Sequence, residues 1–195
     1  MKRVCDAVIS FLGLVVLSPL LLIVGILIQL DSPGPVFFRQ QRMGRGFLPF
    51  SIYKFRTMVV DAPQKGPAIT AGADPRITRV GRWLRKSKVD EIPQLLNVLK
   101  GDMSFVGPRP EIPLYVEMFR KDYEEILKIR PGITDLASLE YRDESALLAG
   151  YEDPEEAYRQ VILPDKIRLA KGYLKQSSLL FDLQLILKTL VRLFD

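Results

Sequence analysis

The sequence contains no histidine and a single cysteine, Cys5. Without histidine the chain lacks the side chain that most often acts as a general base near neutral pH and most often ligates metals. One cysteine excludes an internal disulfide framework and any thiolate-cluster metal site, and it suits a reducing cytoplasm. Chemistry here must rest on carboxylates, Lys and Arg, hydroxyls, or a metal held by oxygen ligands. Internal repeats and low-complexity tracts are absent. So are zinc-ligand spacings and aromatic-basic RNA signatures, so nucleic acid is not an expected partner.

What the chain does have is a charge-free apolar run over residues 7–30, AVISFLGLVVLSPLLLIVGILIQL, with Ser18-Pro19 at its middle. At a rise of about 1.5 Å per residue, such a run is long enough to cross a hydrocarbon core of about 30 Å. The flanks point elsewhere. Lys2 and Arg3 precede the run and Arg39, Arg42 and Arg45 follow it, and cationic flanks prefer the cytoplasmic side. Pro19 removes an N–H and crowds the preceding turn, while the Ser18 hydroxyl is placed to satisfy a freed carbonyl. The favoured expectation is a re-entrant hairpin, helix-break-helix, over residues 1–31; a single kinked span is the alternative. The core is too long for a secretory signal, and no small-x-small cleavage site follows.

The remaining residues, 32–195, suit one compact domain. Hydrophobic residues at 48% and charged residues at 26% describe a chain that folds. The net charge of +5 hides a division. Residues 32–110 hold fourteen Lys/Arg against five Asp/Glu, whereas residues 111–195 hold twelve against sixteen. A basic middle beside a membrane suits anionic lipid or a phosphorylated substrate.

Periodicity predicts mostly α structure with a small β element, an α+β fold. Val36–Arg39 and Phe50–Phe55 read as strands around a turn at Gly44 to Gly46. Residues 59–75 read as loop, Thr78 to Lys100 as helical with a second helix over Ile92 to Leu99, and Gly101 as its stop. Residues 104–113, with three prolines and a glycine, read as a rigid loop. Helical spacing returns over 114–128. It continues over a mostly solvated stretch at 151–176 and an apolar 179–194, which suits either core packing or a membrane interface.

The adjacent carboxylates Asp90 and Glu91 follow a basic run that includes Arg85 and Lys88. Taken alone, they look like the acidic first turn of an ordinary helix. Lys54 and Arg56 end a strand, and Arg109 sits between Pro108 and Pro110 on a stiff loop. Each is suited to phosphate; equally, Lys54 and Arg56 could decorate an exposed strand and Arg109 could bridge to Glu111 or another surface acid.

Together these pieces resemble the bacterial sugar transferases, the monotopic phosphoglycosyl transferases. The matches are Lys2-Arg3-x-x-Asp6, Ser18-Pro19, Ser32 to Phe37, Lys54 to Met58, Asp90 to Leu95, Asn97 to Ser104, Val106 to Glu111 and Pro131 to Thr134, in order along the chain. The resemblance implies transfer of a sugar-1-phosphate from a UDP-sugar to polyprenol phosphate, at the cytoplasmic face of the bacterial inner membrane. It makes Asp90 the nucleophile, Glu91 its partner, and Mg2+ a cofactor beside Asp90. Arg109, Lys54, Arg56 and Arg85 become phosphate contacts, while Ser18, Pro19, Pro108 and Pro110 are structural. Asp135-Leu136-Ala137-Ser138 departs from the glycine and aromatic that many members carry, which leaves the sugar open. Two other readings remain: a membrane module binding anionic lipid through its basic face, and a transferase moving sugar alone.

Overall fold

In the computed structural model, which describes residues 2–67 and 69–194, the apolar run and its flanks form one helix, α1 (Lys2–Asp31). Ser18 and Pro19 lie inside it. Proline has no N–H for the Val15 carbonyl one turn back, and the Ser18 hydroxyl donates to that oxygen instead (2.7 Å). The expected helix-break-helix is thus a continuous helix, because a neighbouring hydroxyl replaces the bond that proline removes.

The rest of the domain holds both ends of α1. At the start, Arg3 donates to the carbonyls of Val98 and Leu99, and Asp6 accepts from the Ser104 hydroxyl (2.7 Å). At the finish, Val24 and Ile28 pack with Phe55 and Leu84, and Asp31 accepts the Val80 N–H (3.0 Å). Between them the helix exposes Val8, Ile9, Phe11, Leu12, Val15, Val16, Leu22 and Ile23.

Strands β1 (Phe37–Met43) and β2 (Pro49–Phe55) form an antiparallel hairpin with Phe37 opposite Phe55. β1 runs further than expected, since pairing carries it through the polar residues Arg39 to Arg42. After a loop gathered around buried Arg76, helix α2 (Arg79–Lys86) starts at Thr78, whose hydroxyl caps the Gly81 N–H (3.0 Å). Lys88 then adopts a left-handed conformation (φ 57°), followed by a 3-10 turn, Val89–Gln94, and helix α3 (Leu95–Lys100). Gly101 ends α3 with φ 97°.

The rigid loop expected over 104–113 begins as a strand. β3 (Ser104–Val106) pairs in parallel with β4 (Gly132–Thr134), so closely that a Cβ on Gly132 would sit 2.1 Å from the Gly107 nitrogen. Helices α4 (Pro113–Met118) and α5 (Arg120–Ile126) break at Phe119. Then come α6 (Leu136–Glu140), α7 (Glu144–Leu148), α8 (Pro154–Ala157), a π-helical turn (Tyr158–Ile162), α9 (Leu163–Gln176) and α10 (Leu179–Phe194).

The stretch 151–176 is not mostly solvated. Ile162, Leu163 and Ile167 are buried with Val116, Tyr123 and Ile126 in the largest apolar cluster. The overall composition is 61% helix with small sheets, as the α+β expectation had it. Among the described side chains of α10 only Leu185 and Asp182 are buried, while Leu179, Leu180, Leu183, Leu187, Leu190 and Val191 are exposed. Core packing therefore accounts for one side of this helix, where Leu185, Phe181 and Ile186 meet Val106 and Tyr173, and not for its exposed leucines.

Candidate active site

The 3-10 turn after α2 brings Asp90 and Glu91 against the end of β2 and the Pro108-Arg109-Pro110 loop. The turn follows directly from Lys88, a side-chain-bearing residue in the left-handed region, where a strained conformation costs on the order of 1–3 kcal/mol. Packing repays that strain by holding the two carboxylates inside the domain.

Glu91 is clasped from two sides. The Lys54 ammonium donates to Glu91 Oε1 (2.7 Å), and the Arg109 guanidinium bonds both carboxylate oxygens, Oε2 at 3.3 Å and Oε1 more closely. Burial alone would raise Glu91, but Arg109 and Lys54 outweigh it and hold it well below the usual carboxylate range. Burial lowers Lys54 from its ordinary value against the pull of Glu91, and Glu91 keeps Arg109 firmly protonated.

Asp90 differs in kind. It is 7% exposed, and its Oδ1 is buried without a hydrogen-bond partner. Burial raises its pKa, Lys54 pulls against this, Glu91 adds to it, and Arg85 and Lys88 oppose it. Of two adjacent carboxylates, one is fully engaged and the other keeps an unspent oxygen. Gln94, in the same turn and 1% exposed, leaves both amide atoms unpartnered as well.

The structure thus gathers Asp90, Glu91, Lys54 and Arg109 at one place. Arg85 is half-buried nearby, its Nε donating to the Thr57 hydroxyl (2.9 Å), and its charge acts on Asp90. Arg56 goes elsewhere. Its guanidinium donates to the carbonyls of Ser32 and Pro33, where it locks the exit turn after α1 instead of facing the carboxylates. A cation at a strand end looks the same in sequence whichever side it turns to.

Two contributors carried no assignment from sequence. Asp135 Oδ2 accepts the Arg109 backbone N–H (3.1 Å), while its Oδ1 caps α6 through the Ser138 N–H (2.8 Å). The residue that departs from the common family pattern therefore tethers the Pro-Arg-Pro loop. Gln94 was visible only as part of the Asp90-to-Leu95 match.

Among the described residues no group of three or more His, Cys, Asp or Glu is positioned to hold a metal. A divalent cation would rest on one oxygen of the Asp90 carboxylate, which accepts no hydrogen bond among the described residues, and take its other oxygens from a bound phosphate and water, leaving the second Asp90 oxygen free. Glu91 is spent on its two cations.

The sequence pattern of the family described as bacterial sugar transferase matches residues 1–195, the whole chain. This chain belongs to the bacterial sugar transferase family.

Three relatives indicate the range within it. A protein of Bacillus subtilis, provisionally named an undecaprenyl-phosphate N-acetylgalactosaminyl 1-phosphate transferase, is 46% identical over 62% of this chain and 68% of its own length. A UDP-N-acetylgalactosamine-undecaprenyl-phosphate N-acetylgalactosaminephosphotransferase of Aeromonas hydrophila is 39% identical over 97% of this chain. A UDP-glucose:undecaprenyl-phosphate glucose-1-phosphate transferase of Caulobacter vibrioides is 41% identical over 96% of it. The transferase spans 42% of the Aeromonas relative and 67% of the Caulobacter one. The three names carry two different sugars.

Proposed function

We propose that this transferase moves a sugar-1-phosphate from a UDP-sugar to undecaprenyl phosphate through a covalent intermediate on Asp90. The observation that carries the reading is the asymmetry of the carboxylate pair, in which Asp90 keeps a buried, unpartnered oxygen while Glu91 is held by Lys54 and Arg109. A carboxylate whose lone pairs are engaged is a poor nucleophile; one that is ionised and without partners is a good one.

The Asp90 oxygen attacks the sugar-bearing phosphorus, the bond from that phosphorus to the bridging oxygen breaks, and UMP leaves with the electron pair. Undecaprenyl phosphate, already anionic, then attacks the same phosphorus and returns Asp90 to its carboxylate. No step needs a histidine base. Lys54 and Arg109 position the pair and counter the charge of the diphosphate oxygens, with Arg109 open enough to reach them, its side chain 32% exposed. Mg2+, when bound beside Asp90, would neutralise diphosphate charge that otherwise repels an anionic nucleophile.

Incubating the protein in membranes with undecaprenyl phosphate, magnesium and a panel of UDP-sugars should release UMP with one or a few donors only. Release of UDP instead would assign it to transfer of sugar alone, and no turnover with any donor would favour the lipid-binding module.

The reading places α1 monotopically, lying along the cytoplasmic leaflet on its exposed apolar face with both ends on the same side. A straight crossing would separate its ends by about 45 Å across the bilayer. Here one domain holds both ends, and the exposed apolar face lies between them. A tag before Lys2 and a tag near Lys65 in intact cells should both be protected from external labelling. Labelling of one but not the other would establish a crossing.

A further inference from the structure

A cavity of about 440 Å³ lies away from Asp90 and is lined by none of the active-site residues. It opens between the first turn of α1, the corner joining α9 to α10, and residues 128–130. Its lining holds five cations, Lys2, Arg3, Arg45, Lys128 and Arg130, against two carboxylates, Asp6 and Asp182.

Both carboxylates are already engaged within the wall. Asp182 accepts from Lys2 (2.6 Å) and from the Tyr173 hydroxyl (2.7 Å), and Asp6 accepts from Ser104. Arg3 is committed to the carbonyls that end α3, and Arg130 gives only its Nε, to Gly101 (2.7 Å). Arg45 and Lys128 have no side-chain partner among the described residues. A specific contact sets them side by side: the Gly46 N–H donates to the Leu127 carbonyl (2.8 Å), which pins the hairpin tip beside α5.

The rim has a second character. Leu179 lines the opening, and the two helices that start there expose Val4, Val8, Phe11 and Leu12 on one side and Leu180, Leu183 and Leu187 on the other. A soluble anion has no use for that surface, whereas acyl chains do. The Lys2–Asp182 ion pair joins the starts of both helices and so keeps the basic cavity level with the apolar faces.

We propose that this cavity binds the phosphate of an anionic glycerophospholipid, with its acyl chains laid along the exposed apolar side chains of α1 and α10. The site would set the depth and tilt of the domain at the membrane, separately from the acceptor site at Asp90. The inference rests on the monotopic placement argued above.

The test uses the full-length protein with vesicles of phosphatidylcholine, with and without phosphatidylglycerol, comparing wild type, Arg45→Gln/Lys128→Gln, and a control of equal charge change outside the cavity, Lys121→Gln/Lys188→Gln. Wild type should prefer the phosphatidylglycerol vesicles. The cavity variant should lose roughly tenfold or more of its affinity for them, while the control loses much less. Native mass spectrometry of wild type, but not of the cavity variant, should retain a phospholipid. Excess inorganic phosphate should leave vesicle binding unchanged.

Equal losses in both double variants would reduce the effect to diffuse surface charge and overturn the site. Full displacement by inorganic phosphate would make it a free-anion site. Indifference to phosphatidylglycerol in wild type would also overturn it, whereas failure to bind either vesicle would overturn the placement as well.

Discussion

Incubated with UDP-sugar donor and magnesium but no acceptor, the protein should release one UMP per active site and gain the mass of a sugar phosphate on Asp90. Adding undecaprenyl phosphate should then discharge it. Asp90→Asn keeps the size of the side chain while replacing the anionic oxygen with a neutral amide, so it should abolish both the adduct and turnover. Intact-protein mass spectrometry after a donor-only incubation reads the first result directly. A fully active Asp90→Asn protein, or an adduct on another residue, would overturn the assignment.

The pH dependence follows from the same environment. Asp90 must be ionised to attack, so activity is present above its pKa and is lost as the pH falls through it. Burial raises that pKa from its ordinary 3.8, which places the acid limb above that value. Glu91 contributes to the rise, so in Glu91→Gln the acid limb of any residual activity should move to lower pH.

Arg109→Ala is expected to lower turnover by roughly 10²-fold or more, the scale of removing one fixed donor from a developing oxyanion. It also strips Glu91 of one of its two cations. Breaking a buried ion pair by deleting one partner costs about 3–5 kcal/mol when burial is complete, and here, with partial exposure, the thermal stability should fall by less. Arg109→Lys separates the two effects, because it restores charge but not the planar fork. Melting temperature should largely recover while activity recovers incompletely. Asp135→Asn should leave the α6 cap in place and loosen the backbone tether of Arg109, raising the donor KM more than it lowers stability. Wild-type kinetics in Arg109→Ala would remove that arginine from the site.

Features with a local cause were legible before any coordinates. Residues 7–30 are apolar in themselves, Gly101 stops α3 because the left-handed position there suits glycine, and the β-hairpin follows from two β-prone runs around a glycine turn. The ordered match from Lys2 to Thr134 pointed to the family and to Asp90 with Glu91. Ser18 and Pro19 were read correctly as partners, since a hydroxyl beside a proline can reach the freed carbonyl, but the break inferred from them was not.

What only the tertiary structure decided depends on groups far apart in the chain. β3 and β4 are three residues each, too short to show a period, and exist because they pair with one another. Lys54 lies within β2 and Arg56 directly past its end, two residues apart, yet Arg56 turns to the carbonyls after α1 and Lys54 to Glu91, thirty-seven positions away. Sequence made Asp90 and Glu91 neighbours and left their roles to analogy. Folding set Lys54 and Arg109 on Glu91 and left an oxygen of Asp90 buried and unspent, because burial and ion pairing are properties of the assembled neighbourhood and not of the residues in it.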